Sequence, residues 1–125
     1  MIVRQFEDLE VYQLALALQR DIFALTRRFP KEEIYSLTDQ IRRSSRSVAA
    51  NIAEGWHKRR YPAHFASKLT DSDGEAAETR HWVQTGLDSG YLSEEEFRDL
   101  IDRYLIVGAK LGSMIQNAEK WKPRE

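Results

Sequence analysis

Arg42-Arg43-Ser44-Ser45-Arg46-Ser47-Val48-Ala49-Ala50-Asn51-Ile52-Ala53-Glu54-Gly55 is the stretch whose reading decides the fold. With Leu37 and Ile41 upstream, Ser45, Val48 and Ile52 fall on one stripe in steps of four and three, the spacing of a helix face. Three arginines lie off that stripe, and Gly55 stands where a C′ glycine ends a helix. The stretch predicts a helix over about residues 34–54.

Upstream, Leu9, Tyr12, Leu16, Ile22, Phe23, Leu25 and Phe29 recur at helical spacing, with Asp8 as N-cap and Pro30 as stop. That predicts a first helix over about 8–29. Downstream, Trp56 to Tyr61 is a short basic connection, and Pro62 suits the first turn of a third helix. Its stripe is Phe65, Leu69, Ser72, Ala76, Thr79, Val83 and Leu87; Gly90 ends it, giving about 62–89. Ser93-Glu94-Glu95-Glu96 is a capping box, in which Ser93 caps the N–H of residue 96 and Glu96 reaches back. It opens a fourth helix over about 93–119, with an apolar face of Phe97, Leu100, Ile101, Tyr104, Leu105, Gly108, Leu111, Met114, Ile115 and Ala118. No segment alternates with period two. The expected fold is all-α, an antiparallel up-down-up-down four-helix bundle in one domain, residues 1–125.

Hydrophobic residues make up 42% of the chain and charged residues 31%, ordinary for a globular protein. There is no cysteine, so disulfides and thiolate metal sites are excluded. The N-terminus lacks the apolar core of a signal peptide, and no apolar run spans a bilayer, so a cytoplasmic protein without membrane contact is expected. Net charge is −1, which argues against a general nucleic-acid binder. The charge is nonetheless uneven: Arg42 to Arg60 holds six Lys/Arg against Glu54, whereas Asp71 to Asp102 holds ten acids against Arg80 and Arg98. Such polarity suits one face meeting another, or a local anion site.

The stripes of helices two and three are rich in Ser, Ala and Thr, which permits close helix approach. Ala50 and Ala53 lie off the core stripe, as does Trp82 on helix three. An off-core aromatic marks an interface, so self-association is expected; the competing reading packs Trp82 over a loop or the C-terminus.

Phe6-Glu7-Asp8-Leu9-Glu10-Val11-Tyr12, the run from Ser47 to Gly55, the spacing of Phe65, Leu69, Gly74 and Glu78, and Gly86-Leu87 with Gly90-Tyr91-Leu92 together resemble the family of 23S rRNA intervening-sequence proteins. That family includes the accessory protein of diversity-generating retroelements. The resemblance covers about residues 6–119. It implies a four-helix bundle that assembles as a barrel-like homopentamer and has no enzymatic activity. It also implies association with RNA or DNA through a basic surface, because relatives are encoded within rRNA genes or beside a reverse transcriptase. This chain departs from the pattern where Glu75 follows Gly74 and where Asp71 and Asp73 add acid.

Phosphate contact needs clustered cations, and aromatics stack on bases. The nucleic-acid candidates are therefore Arg43 and Arg46 on helix two, and Lys58, Arg59 and Arg60 beside Trp56, His57 and Tyr61. The alternative is a protein-binding scaffold without a nucleic-acid role. There Arg42, Arg43 and Arg46 pair with Asp71, Glu75 and Glu78, within or between subunits, which leaves Lys58, Arg59 and Arg60 as the freer cations. Glu54/His57 and Glu78/His81 have the spacing of di-iron ligand pairs, but Gly55 is expected to end the helix inside the first, and His81 lies opposite the core stripe. Asp71, Asp73 and Glu75 point in different directions on a helix and make a poor metal nuclease centre. Ser44, Ser45 and Ser47 have no nearby base, and no phosphate-binding glycine loop is present. Asn51 is expected to bond across a helix pair or to the turn at Gly55. No catalytic residue, cofactor, metal or small-molecule substrate is expected; the partners expected are further copies of the chain and RNA or DNA.

Overall fold

The structure, a computed structural model, describes residues 2–124. Four helices dominate: α1 (Glu10–Thr26), α2 (Leu37–His57), α3 (Pro62–Asp88) and α4 (Glu94–Gln116). Short 3₁₀ turns occupy Phe6–Asp8, Lys31–Glu33 and Ala118–Trp121. There is no strand among the described residues, and no helix is long and apolar enough to cross a membrane.

Cross-helix contacts give the direction of three neighbouring pairs, and with them of the fourth. Ser44, Val48 and Glu54 of α2 meet Thr79, Ser72 and Lys68 of α3, so partners descend as numbers rise. Glu10 and Asp21 of α1 likewise meet Lys110 and Arg103 of α4. Thr26 of α1 meets Arg42 of α2. The bundle is antiparallel, up-down-up-down.

The α2–α3 pair is the tightest because its seam is made of small residues. Ser44, Ser45, Ser72, Ala76 and Thr79 are fully or almost fully buried. Ser72 Oγ–H donates to the Val48 carbonyl across the seam at 2.7 Å, and Thr79 Oγ1 lies 2.8 Å from Ser44 Oγ. Buried hydroxyls are tolerated because they find partners. The larger core residues, Leu18, Ile22, Ile41, Ile52, Phe65, Leu69, Leu100 and Leu111, close around this seam.

Several boundaries differ from the sequence reading. Gly55 does not end α2: the helix runs on to His57, and Gly55 is buried against α3. A Cβ there would lie 3.2 Å from Lys68 Cβ and 3.5 Å from Leu69 Cδ2, so this glycine serves close helix approach rather than chain reversal. Trp56 is therefore a core residue, 4% exposed, and not part of the connection. Asp8 does not cap α1. Its Oδ2 accepts from the N–H groups of Arg4 and Gln5 at 3.0 and 3.1 Å, closing the preceding 3₁₀ turn. Those bonds hold its carboxyl below the usual carboxylate range. Pro30 does not end α1 either. The helix stops at Thr26, whose buried hydroxyl donates to Ile22 O, and Pro30 opens the turn Lys31–Glu33.

The α1 face is also rotated. Val11, Ala15, Leu18, Ile22 and Thr26 are buried, whereas Phe23 is 42% exposed. Counting large side chains pulls the stripe toward Phe23, but small Ala15 and Thr26 are what let α1 sit down on its neighbours. On α4, Val107 is buried while Leu105 stays half exposed. Three expectations hold as read: Pro62 at the start of α3, Gly90 at φ +78 just past its end, and the reciprocal Ser93/Glu96 capping box.

Candidate functional site

The corner between α2 and α3 gathers three of the five candidate cations. Arg59 is fixed: its guanidinium lies 3.8 Å from the centre of the Trp56 ring and donates to the Trp56 carbonyl at 2.9 Å. Partial burial lowers its pKa from the ordinary value. Lys58 Nζ is 3.6 Å from Glu54, which Lys68 also contacts at 2.8 Å. These cations hold the Glu54 carboxyl below its usual range. Arg60 is exposed and makes no ion pair among the described residues.

The same corner is the start of a 27-residue helix, α3. Tyr61, at its N-cap, supplies no side-chain cap, and the first turn carries no carboxylate. The first helical bond is Phe65 N–H to Tyr61 O, which leaves the N–H groups of Ala63 and His64 without acceptors among the described residues. A helix N-terminus carries partial positive charge and free N–H donors. Tyr61 is 60% exposed, its ring 5.5 Å from that of His64, so flat aromatic surface lies beside the cations.

The other two candidates lie elsewhere. Arg43 is spent within its own chain, 2.5 Å from Glu78 and 3.8 Å from Glu75. This matches the ion-paired alternative for that residue. Glu75 Oε2 is buried without a hydrogen bond; burial first, then Glu78, raises its pKa from the ordinary value. Arg42 and Arg46 do not join those acids. They turn the other way, over the Phe23 ring of α1, at 4.5 and 5.8 Å from its centre.

Trp82 is half buried, and its indole N–H donates to Glu78 Oε2 at 3.0 Å. That contact is on its own helix, and the ring packs against the hydrophobic core. Asn51 bonds only the Ser47 carbonyl one turn back, so it reaches neither a second helix nor the Gly55 turn. His57 packs near Phe6, and His81 against Trp82. Among the described residues no three His, Asp or Glu side chains come together as a metal site.

Sequence reading missed a charged face on α1. Arg20 and Arg27 flank Phe23 in steps of three and four, a signal hidden once Phe23 was placed in the core.

An all-α antiparallel four-helix bundle with segregated charge is the class this fold and surface define. The chain belongs to the 23S rRNA-intervening sequence protein family, whose model matches residues 7–113. It is similar to a solved structure from Bacteroides thetaiotaomicron VPI-5482, described as a protein of unknown function from the S23 ribosomal protein family. Identity is 25%, the TM-score is 0.76, and the match covers 85% of this chain and 95% of that one. No functionally curated protein matches the chain.

Proposed function

We propose that the chain is a non-enzymatic, homo-oligomeric helical module that binds RNA or DNA at the α2–α3 corner. The observation that carries this reading is the uncapped, acid-free N-terminus of α3, which follows directly on Lys58, Arg59 and Arg60 in the chain. Free N–H groups at a helix start with cations in the adjoining loop suit a phosphate. Arg59 is held in place by Trp56, Arg60 is unengaged, and exposed Tyr61 offers a stacking surface. Recognition would be through the backbone, with little sequence preference and strong salt dependence. Arg43 and Arg46 are assigned to packing and assembly. Exposed Phe23, Ile34, Leu105 and Ile106 supply apolar surface for subunit contact. By its family resemblance the assembly is a pentamer, and the cytoplasmic location expected from the amino-acid sequence is part of the same proposal.

The test is a salt titration of labelled structured RNA and duplex DNA by fluorescence anisotropy, against wild type and Lys58→Gln/Arg60→Gln. Each lost phosphate contact should lower the slope of log K against log salt by about 0.9 on duplex. The double variant should thus lose roughly two units. Equal binding by both proteins, or none at low salt, refutes the assignment.

A further inference from the structure

Two patches of opposite charge lie beside each other on the upper half of α1. The first is built on Phe23, 42% exposed, beneath the guanidinium groups of Arg42 and Arg46. Arg20 and Arg27 extend it along α1. No carboxylate lies within 4 Å of any of these four arginines among the described residues. Arg42 bonds Thr26 instead, at 2.8 Å, and feels the repulsion of Arg46 and Arg27. Arginine and an exposed aromatic without an internal counter-charge is the composition of an interface core.

The second patch is an open cleft of about 550 Å³ between α1 and α4. Leu25 and Leu100 form its floor, and Asp21, Glu95, Glu96 and Asp99 its rim. Arg28 pairs with Glu96, and Arg103 with Asp21 and Asp99, so four carboxylates face two cations. Glu95 makes no ion pair among the described residues.

We propose that the chain assembles head to tail, the Phe23–Arg46 face of one copy seating in the Asp21–Glu95–Asp99 cleft of the next. The reading rests on the homo-oligomer proposed above and names its contact surfaces. Arg20 and Asp21 are adjacent residues, as are Phe23 and Ala24, and adjacent residues on a helix are turned by about 100° with only ~1.5 Å of rise, so the two patches sit side by side on neighbouring faces of one copy. Opposite net charge on the two faces disfavours the isologous alternative, in which like would meet like.

The test uses charge reversal read by analytical ultracentrifugation, with circular dichroism as the check on folding. Arg20→Glu/Arg46→Glu reverses the basic face, and Glu95→Lys/Asp99→Lys reverses the cleft; all four side chains are exposed. Each variant alone should sediment as the 14.6 kDa monomer under conditions where wild type is assembled. Mixed in equal amounts, the two should associate with each other and leave the monomer boundary, because reversed then faces reversed; the readout is this mutual association, since a ring of odd number cannot alternate two variants throughout. The second variant carries the test alone if the first does not fold. A wild-type oligomer that either folded variant retains overturns the surfaces and leaves the self-association reading standing. A monomeric wild type removes that reading and this one together. Loss of RNA binding in the folded Arg20→Glu/Arg46→Glu variant with its oligomer intact would give this face to nucleic acid and overturn the contact.

Discussion

Tyr104→Phe should stabilise this protein. Tyr104 is 1% exposed at the centre of α4, and its hydroxyl is buried with no hydrogen-bond partner. Burial pushes the phenol's pKa well up. Thr79 is the neighbouring hydroxyl, but its Oγ1 is turned toward Ser44 Oγ and the Glu75 carbonyl, each 2.8 Å away, and no well-formed hydrogen bond joins it to the phenol. An orphaned buried hydroxyl costs about 1–3 kcal/mol. Deleting it leaves an oxygen-sized void of roughly 15 Å³, which at about 24 cal/mol per Å³ costs ~0.4 kcal/mol. The balance is a gain of about 1–2 kcal/mol, or roughly 4–8 °C in melting temperature for a chain of this size. The assay is urea denaturation at a protein concentration where the oligomer state is the same for both proteins, with the m-value required to stay constant. A loss of 1 kcal/mol or more would refute the reasoning, because it would mean that the hydroxyl is bonded. Pairing the substitution with Thr79→Val would then show whether Thr79 is the partner, as a coupling between the two changes.

Two further outcomes follow from the packing. Glu75 has a folded pKa above its unfolded value, so the folded state binds the extra proton and stability falls as pH rises from about 4.5 through the raised value. Glu75→Gln should flatten that fall and raise the denaturation midpoint at pH 7, since Glu78 still holds Arg43; an unchanged pH profile would contradict it. Glycines in the helices should split by surroundings. Gly74→Ala and Gly112→Ala have open space for a Cβ and should each stabilise by about 0.5–1 kcal/mol. Gly86→Ala would put a Cβ 2.9 Å from Leu92 Cδ1 in a buried turn and should lower the melting temperature; a rise at Gly86 would refute the packing read there.

By itself the amino-acid sequence determined the number, order and type of the helices, because each signal is local. Pro62 suits the opening of a helix, Gly90 supplies the positive φ that closes one, and Ser93 with Glu96 satisfies two backbone donors three residues apart in the chain. The α2 stripe was legible for the same reason: Leu37, Ile41, Ser45, Val48 and Ile52 share a face whatever packs against it. Tertiary structure alone decided what each interruption and each charge is for. Gly55 reads as a stop in one dimension, yet it is the point where α3 comes closer than a Cβ ordinarily allows. Phe23 reads as core and is a surface ring beneath two arginines, because small Ala15 and Thr26 took the buried side of α1. The basic run from Arg42 to Arg60 reads as one patch, yet it divides into three: Arg43 toward α3, Arg42 and Arg46 toward α1, and Lys58 to Arg60 at the corner. Long side chains choose partners by which neighbouring helix presents a carboxylate or an aromatic face within reach, and that depends on residues tens of positions away in the chain.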